Sequence, residues 1–166
     1  MKTVKAVSGV TIQLPEWDML PDIGLYMDQI ITLMDRVFLV RMPKGELTKP
    51  MINNYVKAGL LPRPTGKKYD RDHLAIILMI YVLKQVLNMD SIGTILKRIC
   101  EKGVRSGYEL FRKRLDEMEH ALRTGNVKMN WTDDSREELM FRLALTAALC
   151  TIRTYWLLSE QTEPET

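Results

Sequence analysis

LTKPMINNYVKAGLLPRPTGKKY, residues Leu47 to Tyr69, decides how this chain is read. Thr48 is a good N-cap, and Pro50 suits a first helical turn, where its missing N–H would be unpaired anyway. The helix that begins here runs to Ala58, and Gly59 can take the left-handed conformation that ends it. Pro62 and Pro64 forbid continuation, and Thr65-Gly66 makes a turn. Leu60-Leu61 before that turn and Lys68-Tyr69 after it are expected to pair as a very short hairpin. The stretch therefore predicts a short helix followed by a small basic wing.

Successive helical residues are about 100° apart, so Ile52 and Val56 point one way with Tyr55 on their flank. Lys49, Asn53 and Lys57 form a stripe on the other side, with Pro50 and Asn54 beside it. Half of the helix packs, and half presents amides and ammonium groups. Asn is a poor interior helix residue, and two in succession cost a few tenths of a kcal/mol each, at about the level an ordinary surface helix tolerates. A base-reading helix would instead use them, because an Asn amide pairs bidentately with adenine while Lys reaches guanine or phosphate. Arg63, Lys67, Lys68 and Arg71 would then hold phosphates beside it. The residues alone leave both readings open.

The surrounding charge adds weight. The chain has 166 residues and a formal net charge of only +3. From Thr48 to Arg71, however, the balance is +5, and from Lys97 to Arg114 it is again +5, leaving −7 elsewhere. Such asymmetry favours an anionic partner. With 46% hydrophobic and 27% charged residues, the chain can bury a substantial core. Cys100 and Cys150 lie far apart in helical apolar contexts and read as buried thiols. The N-terminal MKTVKAVSGVTIQL has no continuous apolar run, so a cytoplasmic protein is expected. Arg142, Arg153 and several Thr interrupt the apolar stretch Leu139–Leu158, which reads as a buried helix and not a membrane span.

Outward from the opening stretch, helices dominate. Pro15, Pro21 and the acidic residues around Trp17 mark an irregular lead-in. Apolar positions from Leu25 to Val40 recur at helical spacing, giving a helix that stops near Pro43. Asp70 or Asp72 caps a helix that is apolar on most sides and hence central. Asp90 caps a fourth, a fifth begins near Ser106, and Thr132 or Asp133 opens a long sixth that ends near Ser159. That last helix is apolar almost all round, which predicts a homodimer built on the C-terminal helices.

An enzyme needs convergent nucleophile, base and stabiliser, or a metal set. His73, expected to be exposed at its helix start, and His120 stand outside any ligand-spaced cluster. Asp133 and Asp134 read as partners of a helix N-terminus, not as paired acids. Gly66 and Gly93 stand alone. No enzymatic activity, metal or cofactor is expected.

MINNYVKAGLLPRP followed by KKYDRDHLAIILMIYVLKQVLNMDSIGTIL resembles the winged helix-turn-helix of MerR-type transcriptional regulators. Tyr55, Gly59, Leu60, Leu61, Tyr69 and the LNMDSI segment match that layout. LPEWDMLPDIGLYMDQIITLM together with MINNYVKAGLLPRP is similar to the bacterial family domain of unknown function 1836, over roughly residues 14 to 110. The chain departs from the MerR pattern at Asn53, where Arg is usual, and lacks the metal-sensing cysteine pairs.

The resemblance implies a mainly α protein. A winged helix-turn-helix head spans residues 1–103 and a C-terminal helical, dimerising region spans 104–166. The implied function is sequence-specific binding of double-stranded DNA in transcriptional regulation. Thr48, Lys49, Asn53, Asn54, Lys57, Arg63, Lys67, Lys68, Tyr69 and Arg71 are the expected contacts. The rival is a protein-interaction module that keeps the shape without binding DNA.

Overall fold

A computed structural model describes residues 10–39, 42–127 and 135–160. Six helices follow in order: α1 (Met27–Val37), α2 (Lys49–Lys57), α3 (Arg71–Leu83), α4 (Met89–Ile99), α5 (Val104–Thr124) and α6 (Arg136–Glu160), after one 3-10 turn at Trp17–Met19. Every residue of α3 from His73 to Leu83 is buried. A helix apolar on all sides must be covered on all sides. α5 and α6 lie on α3, α4 lies on α3 and α5, and α1 and α2 pack against each other. The mainly α expectation holds.

The small β-hairpin wing does not form. Among the described residues there is no strand, only two isolated antiparallel bridges, Leu25 with Tyr69 and Thr65 with Lys68. The reason is competition for Leu60 and Leu61. Their backbone N–H groups both donate to the Tyr55 carbonyl, at 3.0 and 3.2 Å, as Gly59 turns through φ +72°. They are spent closing the C-terminus of α2. Pro62 and Pro64 then supply no donors. Tyr69 pairs instead with Leu25, N–H to carbonyl in both directions at 2.8 Å. What is left of the hairpin is its turn, in which the Lys68 N–H donates to the Thr65 carbonyl at 3.0 Å.

Several helix ends also differ from expectation. α1 stops at Val37, well before Pro43, because Phe38 leaves the helix to bury its ring 4.9 Å from that of Tyr81. Asn88, not Asp90, caps α4, its Oδ1 accepting from the Ser91 N–H at 2.9 Å. α5 starts at Val104, directly after Gly103 at φ +107°. Thr132, Asp133 and Asp134 lie outside the described residues. Cys100 is half-buried and Cys150 exposed, so neither is the fully buried thiol expected. Among the described residues no helix is long and apolar enough to cross a membrane.

The lead-in is part of the core. Val10, Ile12 and Leu14 are buried while Thr11 and Gln13 are exposed, an extended segment with one apolar edge. Trp17 stands edge-on to Tyr108 at 5.9 Å, and the Tyr108 hydroxyl donates to the Pro15 carbonyl at 2.8 Å. These contacts fasten the N-terminal segment to α5.

α5 and α6 are joined by a buried ion pair, Arg153 to Glu119, with Nη2 to Oε1 at 2.6 Å and both side chains nearly inaccessible. Removing one partner of such a pair leaves a bare charge in the core and typically costs about 3–5 kcal/mol. Arg153→Met alone should therefore lower unfolding stability by roughly that amount in urea titration. Arg153→Met with Glu119→Leu should recover most of the loss.

Candidate nucleic-acid interface

Thr48 caps α2 as expected, its Oγ1 accepting from the Met51 N–H at 3.4 Å. Ile52 and Tyr55 face the core, and Lys49, Pro50, Asn53, Asn54 and Lys57 are exposed. One face is thus anchored and the other is open. The side chains of Asn53, Asn54 and Lys57 have no hydrogen-bond or ion-pair partner among the described residues. Arg63 and Lys67, on the connection to α3, are likewise exposed and unpaired among them.

The turn that follows has the form of a type I′ turn, with φ +57° at Gly66 and φ +65° at Lys67. Lys67 is the only non-glycine residue at positive φ among those described. An L-residue in this region costs about 1–2 kcal/mol, which Gly or Asn would largely avoid. Strain of this kind collects at functional positions. Here it sets an exposed ammonium at a turn tip.

The N-terminal end of α1 holds both parts of this surface. Lys49 of α2 pairs with Asp28 at 2.6 Å, and Lys68 lies over the Tyr26 ring at 5.5 Å. Gly24 admits the Lys68 stem, because a Cβ there would stand 3.0 Å from the lysine Cβ. Tyr26 and Asp28 are two residues apart. α2 and the basic turn therefore flank a single helix end. Sequence reasoning missed Tyr26 and Asp28, which carry no motif and matter only through this contact.

Two of the expected contact residues, Tyr69 and Arg71, make contacts within the fold. Tyr69 is buried, bonded to Leu25 through its backbone, and its ring stands edge-on to His73 at 5.5 Å. Burial raises its phenol pKa. Arg71 is half-buried, 3.5 Å from Asp22 and 5.9 Å from the Trp17 ring. It fastens the lead-in to the start of α3. His73 is buried, not exposed, because its Nδ1 lies 2.6 Å from Asp70 Oδ1 in the cap of α3. Burial raises the Asp70 pKa, but hydrogen bonds from the His73 backbone and ring outweigh it and hold the carboxyl below its usual value.

The second basic block is used differently. Arg98 pairs with Glu137 at 3.0 Å, and Arg105 pairs with Asp18 and Glu109. Arg112 reaches Glu16 and Asp116, and Arg114 reaches Glu117 and Glu138. All four arginines join α4 or α5 to neighbouring elements or to their own next turn. The fold pairs the arginines of this block and leaves its lysines, Lys97, Lys102 and Lys113, exposed without a paired carboxylate among the described residues.

Beneath α2 sits a charge that sequence reasoning did not single out. Lys84, just past the end of α3, is 8% exposed. Its Nζ lies 3.4 Å from Met51 Sδ and 4.8 Å from the Tyr81 ring centroid. Burial, helped by nearby Lys44, pulls its pKa down to about 8. Around it, the Tyr81 hydroxyl donates to the Gly45 carbonyl and the Lys44 N–H donates to Gln85 Oε1. The end of α3 thus supports both the loop before α2 and its first turn.

The family model described as Domain of unknown function (DUF1836) matches residues 15–113, and the chain belongs to that family. No curated protein and no solved structure matches the chain. The matched span covers α1 to α4, the lead-in from Pro15 and the first half of α5.

The depressed Lys84 pKa has a defined sign. The unfolded chain keeps this proton up to about 10.5, and the folded chain only to about 8. The unfolded state therefore binds more protons in that window, and stability should rise as pH increases from about 8 toward 10. Tyr55 and Tyr81, raised by burial to about 12, reverse the trend once the unfolded phenols ionise above about 10. Lys84→Met should raise stability at pH 7 by roughly 2–3 kcal/mol and abolish the rise between pH 8 and 10, measured by urea unfolding at each pH.

Proposed function

We propose that this protein binds double-stranded DNA sequence-specifically, as a transcriptional regulator that reads bases with α2 in the manner of a MerR-type helix-turn-helix. The observation that carries this reading is the open face of α2 and the turn beyond it, where amides and cations stand exposed together. In the second basic block the arginines are paired with carboxylates, and Lys97, Lys102 and Lys113 are exposed ammonium groups with no Asn or Gln in the same span. Asn53, Asn54, Lys57, Arg63 and Lys67 are exposed donors with no partner among the described residues. Unpaired, exposed donors on a rigid helix and an adjoining strained turn are what an anionic ligand with hydrogen-bonding edges requires.

The labour divides by chemistry. Asn53 and Asn54 suit base edges, since each amide offers a donor and an acceptor side by side. Lys57 lies one turn further along the helix. Arg63 and Lys67 carry charge without a matched acceptor pattern and suit phosphates. Lys49 and Lys68 are already held, one by Asp28 and the other by the Tyr26 ring, and they add positive potential more than new bonds. Thr48, Tyr69 and Arg71 position the surface and do not belong to it.

Losing a base contact costs about 1–3 kcal/mol on the preferred site and little elsewhere, whereas losing a phosphate contact weakens all duplexes and flattens the salt dependence. After selection of a preferred duplex from random DNA, Asn53→Ala with Asn54→Ala should erase most of the preference and leave the salt slope nearly unchanged. Arg63→Ala with Lys67→Ala should keep the preference and lower the slope by about two units. Circular dichroism confirms that each variant is folded. If both variants bind every duplex as the parent does, this surface is a protein-interaction face and not a DNA reader.

A further inference from the structure

The outer face of α6 carries a second pattern, independent of the basic surface. Met140, Leu143, Ala147, Cys150, Thr154 and Leu157 recur at 3-4-3-4-3 spacing, and all six are exposed. The opposite face is the one that packs, through Phe141, Ala144, Leu145, Ala148, Leu149 and Ile152. An exposed stripe that alternates three and four residues over nearly five turns is a seam of the kind two helices share. No charged residue falls on it between Met140 and Leu157.

From this seam we propose that the protein forms a homodimer in which α6 packs antiparallel against α6 of a second copy, with Ala147 and Cys150 at the centre. Antiparallel pairing about the middle of the stripe sets each three-residue step opposite a three-residue step and each four-residue step opposite a four-residue step, so that Ala147 meets the partner's Cys150. Leu143 then meets the partner's Thr154, and Met140 the partner's Leu157. The two central layers contain only small side chains and let the helices approach closely. The large residues sit at both ends.

Shape points to a second copy and not to another protein. Beside the N-terminal half of the seam lies an apolar groove of about 610 Å³, with Val86, Leu87 and Ile95 on one wall and Leu139, Met140 and Leu143 on the other. At the C-terminal end of the same helix, Tyr155, Leu157 and Leu158 stand out, 53%, 41% and 56% exposed. Leu158 follows Met140 by five full helical turns and so shares its direction. A two-fold axis between Ala147 and Cys150 brings the partner's Leu157 and Leu158 level with Met140 and Leu139, beside the groove. Each copy supplies both the knob and the hole, as a closed isologous interface demands.

Charge selects the direction. Arg136 begins the same stripe, with Glu137 and Glu138 beside it. Glu137 and Glu138 turn instead to Arg98 and Arg114, so parallel pairing would set Arg136 against its own copy, whereas antiparallel pairing places the two arginines at opposite ends. The seam runs roughly 25 Å along the helix at 1.5 Å per residue.

Light scattering should give twice 19.3 kDa at micromolar concentration, and Ala147→Glu, a change at an exposed position, should return the mass to 19.3 kDa with an unchanged circular dichroism spectrum. Ala147→Cys should form an interchain disulfide with the partner's Cys150 under mild oxidation, seen on a non-reducing gel. The parent should not cross-link. Its two copies of Cys150 sit in adjacent layers, offset by roughly 4.5 Å along helices about 8–10 Å apart, outside disulfide reach. A parent mass of 19.3 kDa overturns the dimer, and a dimer that survives Ala147→Glu overturns the seam. A parent that cross-links through Cys150 alone overturns the antiparallel register.

Discussion

The burial of α3 on every side is the constraint on which the rest of the structure depends. Eleven consecutive residues, His73 to Leu83, are inside, and no single partner can cover a cylinder of side chains. Full burial of a Leu, Ile or Met contributes about 1.5–3 kcal/mol relative to exposure, so leaving any side of α3 open would be costly. α4, α5 and α6 cover it along its length. Phe38 and the loop before α2 cover its C-terminal end through Tyr81 and Gln85.

That arrangement explains why the candidate surface is rigid. α2 rests on the core through Ile52 and Tyr55, and its first turn touches Lys84 at the end of α3. The other end of α3 is fixed by the Asp70–His73 cap, and the preceding residue, Tyr69, is stitched to Leu25. The basic turn hangs between Tyr69 and the closed C-terminus of α2. The backbone that carries these donors is fixed before a ligand arrives, which lowers the backbone share of the cost of binding. The same core supports the outer face of α6 from behind, through Leu145, Leu149 and Ile152.

Charge is sorted by this packing as much as by composition. Each arginine in the span Lys97 to Arg114 finds a carboxylate on α6, on the lead-in or one helical turn away. Exposed pairs of this sort contribute at most about 1 kcal/mol each, and their effect here is to cancel the arginines' share of the positive potential while Lys97, Lys102 and Lys113 keep theirs. The stretch around α2 is likewise only partly paired. Asp28 and Asp22 hold Lys49 and Arg71, and Asp70 is turned to His73.

By itself the sequence determined what depends on local chemistry and periodicity. Thr48 as a cap, Gly59 as a stop, the two faces of α2 and the all-apolar character of α3 follow from residues within one or two turns of each other. The tertiary structure alone decided what depends on competition between distant groups. Leu60 and Leu61 were free to join a hairpin until the Tyr55 carbonyl took their N–H groups, and Tyr69 was free to pair with them until Leu25 did. His73 read as a surface residue until its ring folded back on Asp70, and Phe38 read as helical until Tyr81 drew it away. Which basic residues are paired was likewise invisible, because Asp18, Glu16, Glu137 and Glu138 lie far along the chain from the arginines they hold. A backbone donor or a guanidinium satisfies its strongest available partner, and only the folded chain fixes which partners are within reach.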